Sequence, residues 1–96
     1  MVNLTRDLAI ELAPDIRVNC VCPGAVDTDM LQEVGRALGD GDVAAGYAKL
    51  TQGRPMQRVA RAAEIANAIV WLASDRASFT TGAIQAVDGG VMAKAG

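Results

Sequence analysis

The feature that most restricts the possible folds is the wide spacing of the two segments that have strand character. Residues 16–21 alternate apolar and polar side chains before a Pro-Gly break, and residues 83–87 form a second short run closed by Asp88, Gly89 and Gly90. Helical patterns occupy the long stretch between them. A strand, a crossover helix and a second strand predict a right-handed βαβ unit with parallel strands.

Helical periodicity predicts one helix before the first strand and another between the strands. The first covers residues 2–13, and the second covers residues 61–74. Their large aliphatic side chains recur at helical spacing: Leu4, Leu8, Leu12, Ile65, Ile69 and Leu72. Because the first helix has a broad apolar arc and few charges, we expect it to pack on two sides.

Residues 27–56 form an insertion of a different texture, with scattered glycines and two weaker helical patterns, DMLQEVGRAL and VAAGYAKLTQ. Such an insertion is usually a functional lid or a mobile excursion. The predicted order is therefore helix, strand, lid helices, helix, strand. Because two parallel strands do not make a stable sheet by themselves, the sequence predicts an α/β fold that is the edge of a doubly wound parallel sheet.

Composition excludes several classes of function. Of the 96 residues, 51% are hydrophobic, but only three are aromatic and 18 are alanine, which predicts a thin core. Histidine is absent, which excludes Ser-His-Asp triads and the commonest metal ligand. The net charge of −2, with no basic stretch interleaved with aromatics, gives no indication of a nucleic-acid partner.

The two cysteines, Cys20 and Cys22, would lie on one face of the first strand at a separation that suits a disulfide poorly. Without histidine or a second cysteine pair they do not form a zinc site, so no metal site is expected. We expect small buried thiols in a reducing compartment. With no signal-peptide pattern and no apolar run of membrane-spanning length, a soluble cytoplasmic protein is expected.

The segment after the first strand is the candidate ligand site, since open α/β sheets bind ligands beyond the carboxyl ends of their strands. Pro23 fixes the backbone and Gly24 allows close approach to a ligand, so the following peptide groups are free to pair with a planar polar group. Thr28 adds a hydroxyl. An ordinary turn followed by a helix cap explains the same residues equally well.

The start of the next helix bears on the charge of that ligand. Asp29, with Gln32 three residues later, is predicted to be a helix N-cap, which would point a helix N-terminus at the same crevice. A phosphate is compatible with a helix N-terminus. The carboxylates of Asp27 and Asp29 would repel an anion, however, so a neutral amide is favoured as the nearest ligand group.

Two long blocks, LTRDLAIELAPDIRVNCVCPGAVDTDM and RPMQRVARAAEIANAIVWLASDRASFTTGAIQAVDGG, resemble the C-terminal part of short-chain dehydrogenases/reductases. The resemblance implies the C-terminal part of a Rossmann-like doubly wound sheet, in one dinucleotide-binding oxidoreductase domain over residues 1–96. It also implies NAD or NADP as cofactor, a small carbonyl or alcohol substrate, hydride transfer and a homo-oligomer.

The resemblance also implies roles for particular residues. Pro23, Gly24, Val26 and Thr28 would lie against the nicotinamide half of the cofactor, with the backbone of Val26 paired with the carboxamide. Residues 27–56 would be the lid that covers the substrate.

The family's Gly-rich TGxxxGxG turn and YxxxK motif do not occur in the chain, and Tyr47 lacks a lysine at the fourth following position. We therefore expect no catalytic residue in this chain. The expectation is a C-terminal portion that is inactive by itself. The alternative is a non-catalytic module that self-associates through its apolar helix and sheet edge.

Three further groups of residues have plainer interpretations. Arg54, Arg58 and Arg61 form a basic cluster that either meets a phosphorylated or CoA-linked substrate or pairs with acids such as Glu64. Trp71 is expected in the core or at an interface. The methionines at 30, 56 and 92 are expected to provide adaptable apolar packing, and the first of them would touch substrate if the lid closes.

Overall fold

The computed structural model describes residues 1–95. Its elements in chain order are α1 (Val2–Leu12), β1 (Cys20–Pro23), α2 (Asp29–Leu38), α3 (Val43–Leu50), α4 (Ala62–Ala73), β2 (Ile84–Val87) and α5 (Val91–Ala95). A single 3₁₀ turn follows α4 within this part of the chain. The strands pair in parallel, so the predicted βαβ unit is confirmed.

The two strands are in register from Cys20 opposite Ile84 to Pro23 opposite Val87. Backbone N–H groups of β1 reach β2 at alternate residues: Cys20 donates to the residue before Ile84 over 2.9 Å, and Gly24 donates to Val87 over 3.1 Å. Pro23 falls between two donating positions and faces the open edge of the sheet. Its missing N–H therefore removes no ladder bond.

The first strand begins later than the predicted segment, residues 16–21. Side chains replace part of the backbone ladder before it: the Val18 N–H donates to the Thr81 hydroxyl over 3.0 Å, and the Asn19 side-chain oxygen accepts from the Ala83 N–H over 3.0 Å. One backbone bond remains there, from the Gly82 N–H to the Val18 carbonyl over 2.7 Å. Alternation of side chains marks an extended backbone, but it does not distinguish backbone pairing from pairing of this kind.

Helix α4 covers one face of the sheet and is held at its carboxyl end by Arg17. The Arg17 guanidinium donates to the carbonyl oxygens of Leu72 (2.7 Å) and Ser74 (3.1 Å). The last carbonyls of a helix have no partner within the helix, so a cation there satisfies them and also opposes the helix dipole. Arg17 thus joins the segment before β1 to the end of α4.

Helices α2 and α3 form a hairpin with a very close crossing, hereafter the hairpin. A Cβ atom built on Gly46 would lie 1.8 Å from the carbonyl oxygen of Gly35. Lys49 of α3 donates to the Leu38 carbonyl at the end of α2 over 3.0 Å. The two weak helical patterns of the sequence are therefore confirmed, and Gly35 and Gly46 within them allow the two backbones to touch.

The apolar interior of the described chain is small. Among hydrophobic residues only Ala9, Leu72 and Ala77 are buried. Helix α1 buries one narrow face with Thr5 and Ala9, whereas Ile10 is 80% exposed. The expectation that this helix packs on two sides is therefore not met within residues 1–95. Trp71 is 43% exposed, so it does not lie in the core of the described residues. Its expected position at an interface stays a prediction.

The methionines at 30, 56 and 92 are exposed, so the expected apolar packing is limited to Met56, which lies against Gly89. The expected contact of Met30 with substrate stays a prediction.

The crossing predicts the effect of the change Gly46→Ala. The added methyl group would collide with a backbone carbonyl, and overpacking of this kind costs about 1–3 kcal/mol. This exceeds the gain of about 1 kcal/mol from better helix propensity. We therefore expect a lower free energy of unfolding in urea and faster amide hydrogen exchange in α2 and α3. Ala45→Ser, at an exposed position of the same helix, should change both much less, because only helix propensity is altered, by about 0.5 kcal/mol.

Candidate functional site

The carboxyl ends of both strands meet at a cavity of about 400 Å³. Gly24 after β1 and Asp88 after β2 line it, together with Arg54 and Met56 from the segment that returns from the hairpin. A Cβ atom on Gly24 would lie 3.0 Å from the Asp88 Cα, so glycine allows the two strand ends to approach each other. The structure thus brings together the two Gly-containing breaks that follow the strands in the sequence.

Val26 has an unusual backbone position in the loop after β1. It forms a parallel bridge with Ala60, in which the Asp27 N–H donates to the Ala60 carbonyl (2.8 Å) and the Ala60 N–H donates to the Ala25 carbonyl (2.9 Å). In such a bridge the central residue's own N–H and C=O point away from the partner. Among residues 1–95 neither group of Val26 has a hydrogen-bond partner. The loop therefore presents one free donor and one free acceptor on the same side.

Thr28 caps the amino end of α2. Its Oγ1 accepts a hydrogen bond from the Leu31 N–H over 3.2 Å, and its backbone is extended. The prediction that Asp29 is the N-cap is therefore wrong by one residue, since Asp29 is the first helical residue. Both residues are good caps, and only the backbone angles decide between them. The Thr28 hydroxyl hydrogen stays available to donate to a ligand.

Asp27 connects this loop to both helices of the hairpin. Its Oδ1 accepts hydrogen bonds from the Tyr47 hydroxyl of α3 (2.8 Å) and from the Gln32 side chain of α2 (3.2 Å). Loss of solvent around the ring raises the pKa of Tyr47, and the Asp27 carboxylate raises it further. The phenol therefore remains a hydrogen-bond donor throughout the neutral range and fixes the hairpin to the loop.

The basic cluster is largely occupied by one acid. Arg58 donates to both carboxylate oxygens of Glu64, over 2.7 and 2.8 Å, and the Arg61 backbone N–H donates to the same carboxylate over 2.9 Å. The Arg58 guanidinium, aided by the Arg61 N–H, lowers the pKa of Glu64 to about 2. The predicted pairing with Glu64 is thus confirmed for Arg58 and also for Arg61, whose Nε lies 3.6 Å from the carboxylate. Arg54, Arg58 and Glu64 all line the cavity.

The two cysteines lie on one face of β1, as predicted from the strand pattern. Their Sγ atoms are 3.9 Å apart, and neither forms a disulfide. The hydrogen bond with Cys20 raises the pKa of the Cys22 thiol, and loss of solvent adds to this. Both side chains are half-buried, which corrects the expectation of buried thiols.

Two further findings limit the possible sites. No group of three or more carboxylate or thiol side chains within residues 1–95 could hold a metal ion. No helix in the same range is both long and apolar enough to cross a membrane.

Sequence patterns did not indicate the bridge between Val26 and Ala60 or the contact between Tyr47 and Asp27. The bridge depends on the way the chain folds back after the hairpin, and the contact depends on the return of α3 along α2 to the loop. The only local signal was the pair of helical patterns, which indicates helices but not their docking.

The chain is similar to known proteins in both sequence and structure. A family model described as enoyl-(acyl carrier protein) reductase matches residues 1–92. The cis-4-hydroxycyclohexanecarboxylate dehydrogenase of Sinomonas cyclohexanicum is 46% identical over 97% of this chain and 34% of its own length. The first matched curated relatives are covered over 30% to 35% of their length, so the chain spans about a third of them.

Solved structures agree with the fold. Ligand-free aldohexose dehydrogenase of Thermoplasma acidophilum matches with a TM-score of 0.86 at 34% identity, over 96% of this chain and 37% of that one. An NADPH-bound short-chain oxidoreductase of Pseudomonas aeruginosa, which has an atypical catalytic centre, matches with a TM-score of 0.81 at 34% identity, over 94% of this chain and 35% of that one.

The chain belongs to the short-chain dehydrogenase/reductase family. Its α/β structure with a parallel sheet corresponds to a portion of the Rossmann fold of these enzymes.

The Glu64 site predicts how stability depends on pH. The pKa of Glu64 is about 2 in the folded chain, below its ordinary value of 4.5, so the ionised carboxylate stabilises the fold above pH 4.5. This stabilisation is lost as the pH falls from 4.5 towards 2. In Glu64→Gln we expect a weaker dependence of the unfolding free energy on pH in that window, measured by urea denaturation. Glu33→Gln is the control, and an unchanged slope in Glu64→Gln would contradict the assignment.

Proposed function

We propose that this chain provides the nicotinamide-side loop and the substrate lid of an NAD(P)-dependent oxidoreductase that interconverts a small carbonyl compound and an alcohol. The observation that supports this most strongly is the backbone of Val26, whose free N–H and C=O lie on the side of the loop away from Ala60. A carboxamide carries one acceptor and two donor hydrogens, so it can pair with both groups at once.

The surroundings of Val26 favour a neutral group. Asp27 and Asp29 flank the loop with two carboxylates, which disfavour an anion at this point. The Thr28 hydroxyl lies at the start of α2 and adds a donor for the same end of the ligand. Pro23 and Gly24 set the course of the backbone into this segment. The NADPH in the related oxidoreductase structure agrees with this cofactor class.

When bound, the nicotinamide supplies or accepts the hydride. The residues of this chain would hold its carboxamide in a fixed orientation, so that one face of the ring is turned towards the substrate. None of them is proposed as the proton donor, because the chain has no YxxxK motif. The chain by itself is therefore proposed to carry out no hydride transfer.

Residues 27–56 are proposed to be the substrate lid. The hairpin starts directly after the loop, and Asp27 holds it there through Tyr47 and Gln32. A lid attached in this way lies beside the nicotinamide position and would exclude water from the substrate. We further propose a cytoplasmic location, where reducing conditions keep both thiols free.

Carboxamide recognition predicts selectivity between two ligands that differ in one group. We expect nicotinamide mononucleotide to shift the amide NMR signals of Val26, Asp27 and Thr28. Nicotinic acid mononucleotide, which carries a carboxylate instead, should bind at least about tenfold more weakly, since one hydrogen bond of about 1.4 kcal/mol is lost and like charges approach. Equal shifts by the two ligands, or shifts confined to other segments, would contradict the proposal.

Two variants of Val26 test whether the response depends on its backbone N–H. Val26→Pro removes the free N–H but leaves the bridge to Ala60, because that bridge uses the N–H of Asp27 and the C=O of Ala25. It should lose the response to nicotinamide mononucleotide. Val26→Ala keeps the backbone and should respond as the parent chain does. Protection of the Ala60 amide from hydrogen exchange verifies that the bridge persists in both.

A second candidate function is self-association without catalysis, which the exposed apolar surface favours. Val70 of α4 is 66% exposed, and Ile69 and Trp71 beside it are about half exposed. Helix α1 exposes Leu4 and Ile10. Both strands also have an open edge, which is a template for pairing with another chain.

The association candidate predicts a concentration-dependent mass. Light scattering at micromolar concentration should give a dimer or a larger species, and Val70→Glu, which places a charge on the exposed face of α4, should shift the population towards monomer. Asp7→Lys, a charge change at an exposed position of α1, is the control. A parent chain that remains monomeric over this range would exclude the candidate.

A further inference from the structure

The most informative feature outside the loop is the pair of thiols on β1. Side chains alternate between the faces of a strand, so Cys20 and Cys22 share one face and Val21 points to the other. Val21 lines a cavity with Ile69 and Leu72, which identifies its face as the one covered by α4. The two thiols therefore lie on the face opposite α4, where both are half-buried.

The spacing of the sulfur atoms is too long for direct bonding. A disulfide needs about 2.05 Å between sulfurs, so the observed 3.9 Å would have to shorten by about 1.9 Å. The strand resists this, because two residues of strand separate the Cα atoms by about 6.6 Å, at the upper end of the range that disulfides accept. Pairing of β1 with β2 holds the strand in this extended form.

The same spacing suits a single atom placed between the sulfurs. Two bonds of about 2.3 Å, as for metal–thiolate bonds, can span up to about 4.6 Å and would meet at an angle of about 116° across the observed 3.9 Å. A planar centre with three ligands has a similar angle, whereas a pyramidal centre with a lone pair prefers an angle close to about 100°, which bonds of this length reach when the sulfurs are about 3.5 Å apart. A small rotation of the two side chains brings the sulfurs to that distance, a far smaller shift than a disulfide requires. Thiolate ligands select soft centres over hard ones such as magnesium or calcium. The protein supplies two of the ligands, so the third must come with the bound group.

We propose that Cys20 and Cys22 form a preorganised dithiol site for a soft, thiophilic centre, and that trivalent arsenic carrying one organic group is the ligand class that fits. With phenylarsine oxide, two S–H bonds and the arsenic–oxygen bond break, two arsenic–sulfur bonds form, and the oxygen leaves as water with both protons. Arsenic remains trivalent, so the reaction needs no oxidant or reductant. This site is independent of the nicotinamide loop.

The test uses the full chain with phenylarsine oxide as the probe. Intact-mass spectrometry should show one adduct per chain, with loss of one water, that resists an excess of a monothiol and is released by dithiothreitol. Cys20→Ser and Cys22→Ser should each lose the monothiol-resistant adduct, because one sulfur cannot chelate. The chain has no other cysteine, so each variant leaves a single thiol.

A peptide of residues 17–25 tests whether binding requires the folded chain or only the two cysteines two residues apart. It carries both cysteines without the pairing to β2, and we expect it to bind the probe at least about tenfold more weakly than the folded chain, because its side chains must be ordered on binding. Equal affinity of the peptide would overturn the proposal. So would a monothiol-resistant adduct in either single-cysteine variant, or an internal disulfide in the parent chain before the probe is added.

Discussion

Parallel pairing of β1 with β2 is the interaction on which the other positions depend. The ladder extends beyond β1 to Gly24, whose N–H donates to Val87, and so brings the ends of both strands to one edge. Only at such a shared edge do the loop after β1, the turn at Asp88 and the returning segment meet. The pairing also keeps β1 extended, which fixes the side chains of the strand to their two faces.

The course of the chain after the hairpin completes the loop. Ala60 forms an isolated parallel bridge with Val26, and it occupies only one side of that residue. On the other side, the N–H and C=O of Val26 have no hydrogen-bond partner among residues 1–95. In the proposed pairing with a carboxamide only the backbone takes part, so the identity of the Val26 side chain would matter less than its N–H and C=O.

The sequence predicts the elements better than their contacts. The periodicity of residues 61–74 and of the two patterns in the insertion identified α4, α2 and α3, because helices depend on local spacing.

The errors arise where tertiary contacts decide. Asn19 uses its side chain in place of a backbone ladder bond, which delays the start of β1, and the backbone angles of Thr28 make it the cap in place of Asp29. The bridge to Ala60 joins residues far apart in sequence, so no local pattern reports it.

The small interior has a consequence for the thermodynamics of the chain. Because only three apolar residues are fully buried within residues 1–95, unfolding would expose less apolar surface to water than in a typical domain of this length. The heat-capacity change should then fall below the usual value of about 12–15 cal/mol/K per residue. A smaller heat-capacity change flattens the curve of stability against temperature. The stability of this chain would then change less on moderate cooling than that of a domain with a fuller core.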